Sequence, residues 1–365
     1  MKGTEGVKKI GGGQRDSNLE LYRIIVMLLI VAHHYVVNSG VMDRMYAESL
    51  RANSVFLFLF GAWGKTGINC FIMITGYFMC KSHATLEKYL KLITEVLFYN
   101  IALSVLFIVT GYGTMGDMLD AIFFARTIDS GNFTACFLAF YPLMPFLNIL
   151  LKNINKKQHQ YLVALLAILY VFYGTMPGFH VVMNYVSWFS FLYFVAAYIR
   201  FYPIKRRNWG MWTLLFVAVG VASVVACLFL GEKLGKHIAY AFVSDSNTFL
   251  AFAIAVCSFM FFKDLHIKRS KIINAIGGST FGVLCIHANS NRMRSWLWGT
   301  TFNVKGCYDF TTKKLIVYSF GTVSVVFFAC AVLEILRKRY IEDKGMSVLI
   351  ACTALEKWKE GFEIE

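Results

Sequence analysis

The sequence predicts an all-α, polytopic membrane protein: a bundle of about ten spans with both termini in the cytoplasm. Three observations carry this. The 365 residues are 58% hydrophobic and only 16% charged, against about 25% charged in an average soluble protein. The apolar residues fall in runs long enough to cross a bilayer, and the cations gather on one side of those runs. The same composition excludes a disordered chain, a collagen-like fibre and a small disulfide scaffold.

A helix needs about 20 apolar residues to cross roughly 30 Å of hydrocarbon. Such runs lie at 20–38, 54–80, 86–111, 133–151, 160–176, 182–201, 209–231, 246–262, 272–290 and 313–336. The first lacks a small-residue cleavage pattern and reads as a span, not as a signal peptide. The second has room for a re-entrant or interfacial piece plus a span. With a cytoplasmic N-terminus, twenty-four Lys and Arg fall on inner segments and ten on outer ones, while Arg23 and Lys65 lie within spans. That asymmetry is the positive-inside signal of a multi-pass plasma-membrane protein. The net charge of +15 is therefore explained by topology, and no nucleic-acid partner is expected. The nine cysteines form no C-x-x-C pair and mostly sit in apolar runs, as small buried side chains do; neither a metal site nor a disulfide frame is expected. The chain divides into a cytoplasmic segment 1–19, a membrane domain 20–337 and a cytoplasmic tail 338–365. In the tail, Leu355, Trp358 and Phe362 among charged residues suggest an interfacial helix.

Ionisable side chains inside a bilayer cost about 2.5–3.5 kcal/mol each on insertion scales, so each is a functional candidate. The first run holds the densest set: Glu20, Arg23, His33, His34 and Asn38. At 100° per residue, Glu20, Arg23, Met27, Ile30, His34 and Asn38 form one stripe, with His33 rotated off it. The 11 steps from Arg23 to His34 rise about 16 Å. A guanidinium suits phosphate at one end, and an imidazole at the other can take a proton from a hydroxyl. The plain alternative is an arginine reaching for headgroups with Glu20 as its i,i+3 partner. Lys88 and Lys91 share a face at the start of the third run and could join Arg23 around a polyphosphate, or could be an ordinary basic cluster. The stretch from Gly64 to Phe78 pairs glycines suited to close helix approach with polar residues where a cavity could open, Asn69 and Tyr77 among them. It has no Walker A order. His287, at the outer end of the ninth run, is a candidate second proton handler or substrate contact. Trp296, Trp298 and Tyr308 are an outer aromatic belt that could also meet sugar rings.

Several of these patterns are familiar. Glu20-x-x-Arg23-x₁₀-His34 resembles the [D/E]-x-x-R-x₁₀-H signature of the acyltransferase-3 family of integral-membrane O-acyltransferases. The segment Gly67-Ile68-Asn69-Cys70-Phe71-Ile72-Met73-Ile74-Thr75-Gly76-Tyr77-Phe78 is similar to that family's G-V-[N/D]-x-F-F-x-x-S-G-Y-x, with Thr75 for the usual serine. Pro145 to Asn148, Phe191 to Phe194 and Gly282 to His287 resemble further landmarks, in order, over residues 20 to 287. The resemblance implies about ten spans, an acyl-CoA donor on the cytoplasmic side and a glycan or other hydroxyl acceptor on the outer side. It carries Arg23 and His34 over as the paired motif, with Glu20 orienting Arg23. Lys88 and Lys91 match a basic donor motif in which arginines are usual, and lysine gives up bidentate phosphate capture.

The function expected is transfer of an acyl group, acetyl in this reading, from acetyl-CoA to a hydroxyl of an exported or lipid-linked glycan. His34 acts as general base or brief acyl carrier, and no cofactor is permanently bound. The rival reading is a transporter or flippase of a lipid-linked polysaccharide precursor. Four prolines and no detectable repeat count against it.

Overall fold

The computed structural model describes residues 16–342 apart from 83, 127, 129, 130 and 206. The basic residues up to and including Arg15 and the tail beyond Glu342, with its expected interfacial helix, lie outside the described residues. Among the described residues the fold is all-helical. Helices cover every apolar run, but among the described residues only six are long and apolar enough to cross a membrane: Ser17–Val37, Ala52–Met79, Leu86–Val109, Phe133–Asn153, Trp209–Leu234 and Thr312–Glu342. A seventh forms if Lys271–His287 and Asn291–Cys307, bent by 95° at their junction, are taken as one. The other runs make shorter helices, such as the 17 residues of Tyr185–Phe201 and the 16 of Phe249–Asp264. At 1.5 Å per residue these rise only about 24–26 Å.

In chain order, α1 is Ser17–Val37, and α2 (Met42–Ala47) is a short turn in the loop after it. The second run resolves into α3 (Ala52–Gly61) and α4 (Gly64–Met79), meeting at Ala62 and Trp63. The third is α5 (Leu86–Val109), started by the Thr85 hydroxyl accepting from the Lys88 amide. A surface helix α6 (Met115–Ile122) follows, with a reciprocal Thr114–Asp117 capping box. Next come α7 (Phe133–Phe140), α8 (Met144–Asn153), α9 (Lys156–Leu166) and α10 (Tyr173–Thr175). Then come α11 (Tyr185–Phe201), α12 (Trp209–Leu234) and α13 (Phe249–Asp264). Gly235, at φ 61°, closes α12 in the left-handed region that glycine tolerates. The ninth run breaks into α14 (Lys271–Gly278) and α15 (Thr280–His287), after which the chain turns sharply into α16 (Asn291–Arg294) and α17 (Val304–Cys307). The turn is built in. Ser290 caps α16 by accepting from the Met293 amide, and Asn289 donates to Asn100 Oδ1 at 2.7 Å and to Cys285 O. The last helix is α18 (Thr312–Arg337).

Helix α1 occupies the middle of the bundle and packs against α3, α4, α13, α14, α15 and α18. Close approach comes from small residues on its neighbours, as membrane packing favours. A Cβ at Gly67 would stand 2.8 Å from Ile30 Cγ1, and one at Gly76 of the same helix would stand 3.1 Å from Ala196 Cβ on α11. The glycine-rich α4 is therefore a packing hub, as its sequence suggests. Lipid-facing surface falls to α12 and α18, where Leu214, Phe229, Val317 and Val325 are exposed.

Loops on the side where α1 ends are cross-tied. Arg44 makes two 2.7 Å bonds to Asp309, and Asn53 donates to the carbonyls of Tyr308 and Phe310. Arg292 meets Asp117 at 2.7 Å; together with Thr114 it pulls that half-buried carboxyl down to about 2. Where α15 crosses α18, the Glu334 side chain lies directly against Gly282. Glu334 there accepts from Tyr99 at 2.6 Å and from Arg337 at 2.7 and 2.9 Å. A methyl at Gly282 must displace this carboxylate, at about 1–3 kcal/mol. Gly282→Ala should lower the melting midpoint in detergent by about 5 °C. Gly321→Ala, with nothing within 4 Å of its Cβ, should leave it unchanged. Equal midpoints for the two variants would refute the crossing constraint.

Candidate active site

The stripe on α1 faces protein, not lipid: Met27 is fully buried and Ile30 nearly so. At its C-terminal end, His34 Nδ1 lies 3.0 Å from His287 Nε2 on α15, and His287 Nδ1 lies 2.6 Å from the Val283 carbonyl. A carbonyl only accepts, so His287 carries its proton on Nδ1, and its Nε2 lone pair accepts from His34 Nδ1–H. With both rings neutral, this chain fixes the His34 tautomer and leaves Nε2 as a free base. The two residues sit 253 positions apart in sequence.

His34 lines a cavity of about 270 Å³ with Asn100, Asn132, Phe133, Thr134, Cys285, Asn289 and Arg294. A second space of about 210 Å³ shares Asn100, Phe124 and Asn289 with it and continues past Ser104 to Asp117 and Arg292. Together they form a polar cleft whose far end is the cross-tied loop region. Arg294 is half-buried and donates through Nε to the Ser290 carbonyl at 3.2 Å. Such a lining suits a polyhydroxylated ligand and, at its inner end, a reaction that begins by taking a hydroxyl proton.

His33 turns the other way. Its Nδ1 lies 2.6 Å from the Gly61 carbonyl, and its ring packs on Gly64, where any side chain would collide with it. It is a packing residue, in keeping with its place off the stripe.

At the N-terminal end of α1, Glu20 and Arg23 form the i,i+3 ion pair at 3.5 Å. The Glu20 side chain is buried against Gly277 of α14. Arg23 keeps 22% of its side chain exposed. Arg23 does not line the His34 cavity, and Met27 and Ile30 are packed between the two. Lys88 is exposed on α5, and Lys91 is paired with Glu87 at 3.0 Å. α15 packs against both α1 and α5.

Asn69 and Tyr77 are placed elsewhere. Asn69 is fully buried, donating to Ser246 O at 2.7 Å and accepting from Trp188 Nε1 at 2.8 Å. Those bonds tie α4 to α11 and to the loop before α13. Tyr77 accepts from Arg200 at 2.8 Å and lies under that guanidinium, 4.5 Å from its ring centre. Neither lines the His34 cavity. Of the aromatic belt, Trp298 and Tyr308 are fully buried and cannot present a face to a sugar. Trp296 packs on Phe107 at 5.9 Å.

Sequence reasoning also passes over a buried ionic group. Glu95 on α5, Glu334 and Arg337 on α18 and Glu342 converge, with Arg337 at 2.7–3.4 Å from all three carboxylates and Lys338 at 3.0 Å from Glu334. The carboxylate oxygens lie within 4.8 Å of one another, and two cations already sit among them. The group adjoins the cleft floor, since Val96 and Cys285 line the His34 cavity. The intramembrane-charge criterion applied to α1 finds Glu95 and Glu334 as well, when extended along the whole chain. Arg294, in the turn after the ninth run, gives no such signal.

A family model described as an acyltransferase domain, that of the acyltransferase-3 family, matches residues 16–334. No curated protein and no solved structure matches the chain.

The geometry makes the cleft reachable and the Asn69 network closed. In a cysteine-free background, Asn289→Cys should react with a small polar thiol reagent at least about tenfold faster than Asn69→Cys, a difference of about 1.4 kcal/mol in barrier. Equal rates would show that the cleft is sealed.

Proposed function

This chain belongs to the acyltransferase-3 family of membrane acyltransferases, and from that premise we propose that it moves an acyl group, acetyl in our reading, from cytoplasmic acyl-CoA to a hydroxyl of an exported or lipid-linked glycan. The observation that supports this most directly is the Val283–His287–His34 chain, which fixes the proton on His34 Nδ1 and leaves Nε2 beside a polar cleft. In this reading the protein is a multi-pass plasma-membrane enzyme of ten spans with cytoplasmic termini. The cleft then opens outward, where an exported glycan is met.

The chemistry follows from that nitrogen. His34 Nε2 takes the proton of the acceptor hydroxyl as its oxygen attacks the thioester carbonyl carbon. The new O–C bond forms, the C–S bond breaks, and the imidazolium returns its proton to the departing CoA thiolate. His287 holds the Nδ1 proton in place and shares the positive charge of the intermediate imidazolium. Arg294 and the second amide hydrogen of Asn100, whose first goes to the Ala121 carbonyl, supply donors along the cleft for the carbonyl oxygen as it gains charge. At the cytoplasmic end, Arg23, oriented by Glu20, binds donor phosphate, with Lys88 and Lys91 adding positive charge from α5. The 16 Å or so between Arg23 and His34 suits the pantetheine arm. Its path passes Met27 and Ile30, so donor binding parts α1 from a neighbouring helix there.

His34→Ala should lower acyl transfer by about 10³-fold, within the range for losing a general base, while the protein stays in the membrane and the glycan is still exported. His287→Gln, whose amide oxygen can still accept from His34 Nδ1, should retain more activity than His287→Leu. Assay of acyl transfer in membrane vesicles with labelled acetyl-CoA reads both. Undiminished transfer by His34→Ala would remove the imidazole from the mechanism.

A further inference from the structure

Lys65 is the one charged side chain of the glycine-rich segment that the acyl-transfer reading leaves unused. It lies in the first turn of α4, at the positive end of the helix dipole, where a cation costs about 0.3–1 kcal/mol. Its ammonium donates to the Tyr185 hydroxyl at 2.8 Å and stands 5.4 Å from that ring's centre. Among the described residues no carboxylate pairs with it. A half-buried ammonium in an apolar run, satisfied only by one neutral oxygen, is poorly compensated.

It also lines a cavity of about 370 Å³, formed with Tyr173, Phe179, His180, Tyr185 and Asp245. Tyr173 and Phe179 meet edge to face at 5.2 Å, giving this space an aromatic wall. Asp245 is exposed at the rim and does not reach Lys65 within ion-pair distance. One aromatic contact joins this cavity to the His34 cleft: Phe133 of the cleft and Tyr185 of this cavity lie 6.4 Å apart at 70°. Gly64, next to Lys65, packs under the ring of His33, the chain neighbour of His34.

We propose that the acceptor is an anion, and that the Lys65 cavity holds its negative group, a sugar carboxylate or a phosphate, while the hydroxyl to be acylated lies at His34. This rests on the acyl-transfer reading and adds the substrate's charge to it. The aromatic wall takes the apolar face of a sugar ring, and Asp245 and His180 at the rim take its hydroxyls.

The test compares lipid-linked glycans and surface polymer, by mass spectrometry, from cells expressing the wild type, His34→Ala, Lys65→Met or Lys65→Arg. The expected result is an acyl mass lost in His34→Ala and borne by a unit that carries, or adjoins, a carboxylate or phosphate. Its occupancy should fall about tenfold or more in Lys65→Met, as the loss of a charged hydrogen bond predicts, and recover largely in Lys65→Arg at equal protein level. An acyl mass on phosphate-free polymer assigns the anion to a sugar carboxylate; one confined to the lipid-linked intermediate assigns it to phosphate. An acyl mass on a neutral unit, or undiminished occupancy in Lys65→Met, would overturn the inference and leave the transferase standing. No acyl difference between the wild type and His34→Ala would overturn both.

Discussion

A bilayer offers no water to a buried charge or imidazole, and that constraint organises this molecule around α1. Each ionisable group held in hydrocarbon without a partner costs a few kcal/mol, and α1 carries four of them between Glu20 and His34. The bundle answers by enclosing the helix. Glu20 and Arg23 pair beside Gly277, His33 finds the Gly61 carbonyl, and His34 finds His287. A helix so placed must be approached closely on several sides, which is where the glycines of α4 and α14 are found.

The same enclosure creates the reactive group. Imidazole is useful as a base only with one nitrogen free and the other's proton fixed, and the Val283 carbonyl sets this two residues away from the reacting atom. The break between α15 and α16 matters for the same reason. Because the chain turns at Ala288 to Ser290 and does not continue as one straight span, Asn289 and Arg294 are carried back over His34 and wall the cleft. Irregular backbone at membrane depth is tolerated where it lines such a space.

The buried Glu95, Glu334 and Arg337 group stands in contrast to Lys65. In the former, charges of both signs are gathered and largely cancel, and Gly282 yields the room they need. Lys65 has only a phenol and an aromatic face. The difference separates charges that hold helices together from a charge left over for something else.

Much was legible in the chain alone. Hydropathy and a period of 3.6 residues are local properties, so helical class, the apolar runs, the Glu20–Arg23–His34 stripe and the off-stripe place of His33 could be read from neighbours in sequence. So could the packing use of the α4 glycines and the family's paired motif. What only tertiary structure decided depends on which helices touch. It paired His34 with a histidine 253 residues away, turned the chain by 95° after the ninth run, and spent both ends of the Asn69 amide on helix ties. It also buried Trp298 and Tyr308 and packed Met27 and Ile30 between the two ends of the stripe. A polar residue's type states what it can bond to; whether a neighbour has already taken that bond is fixed by packing, and packing joins residues that sequence keeps far apart.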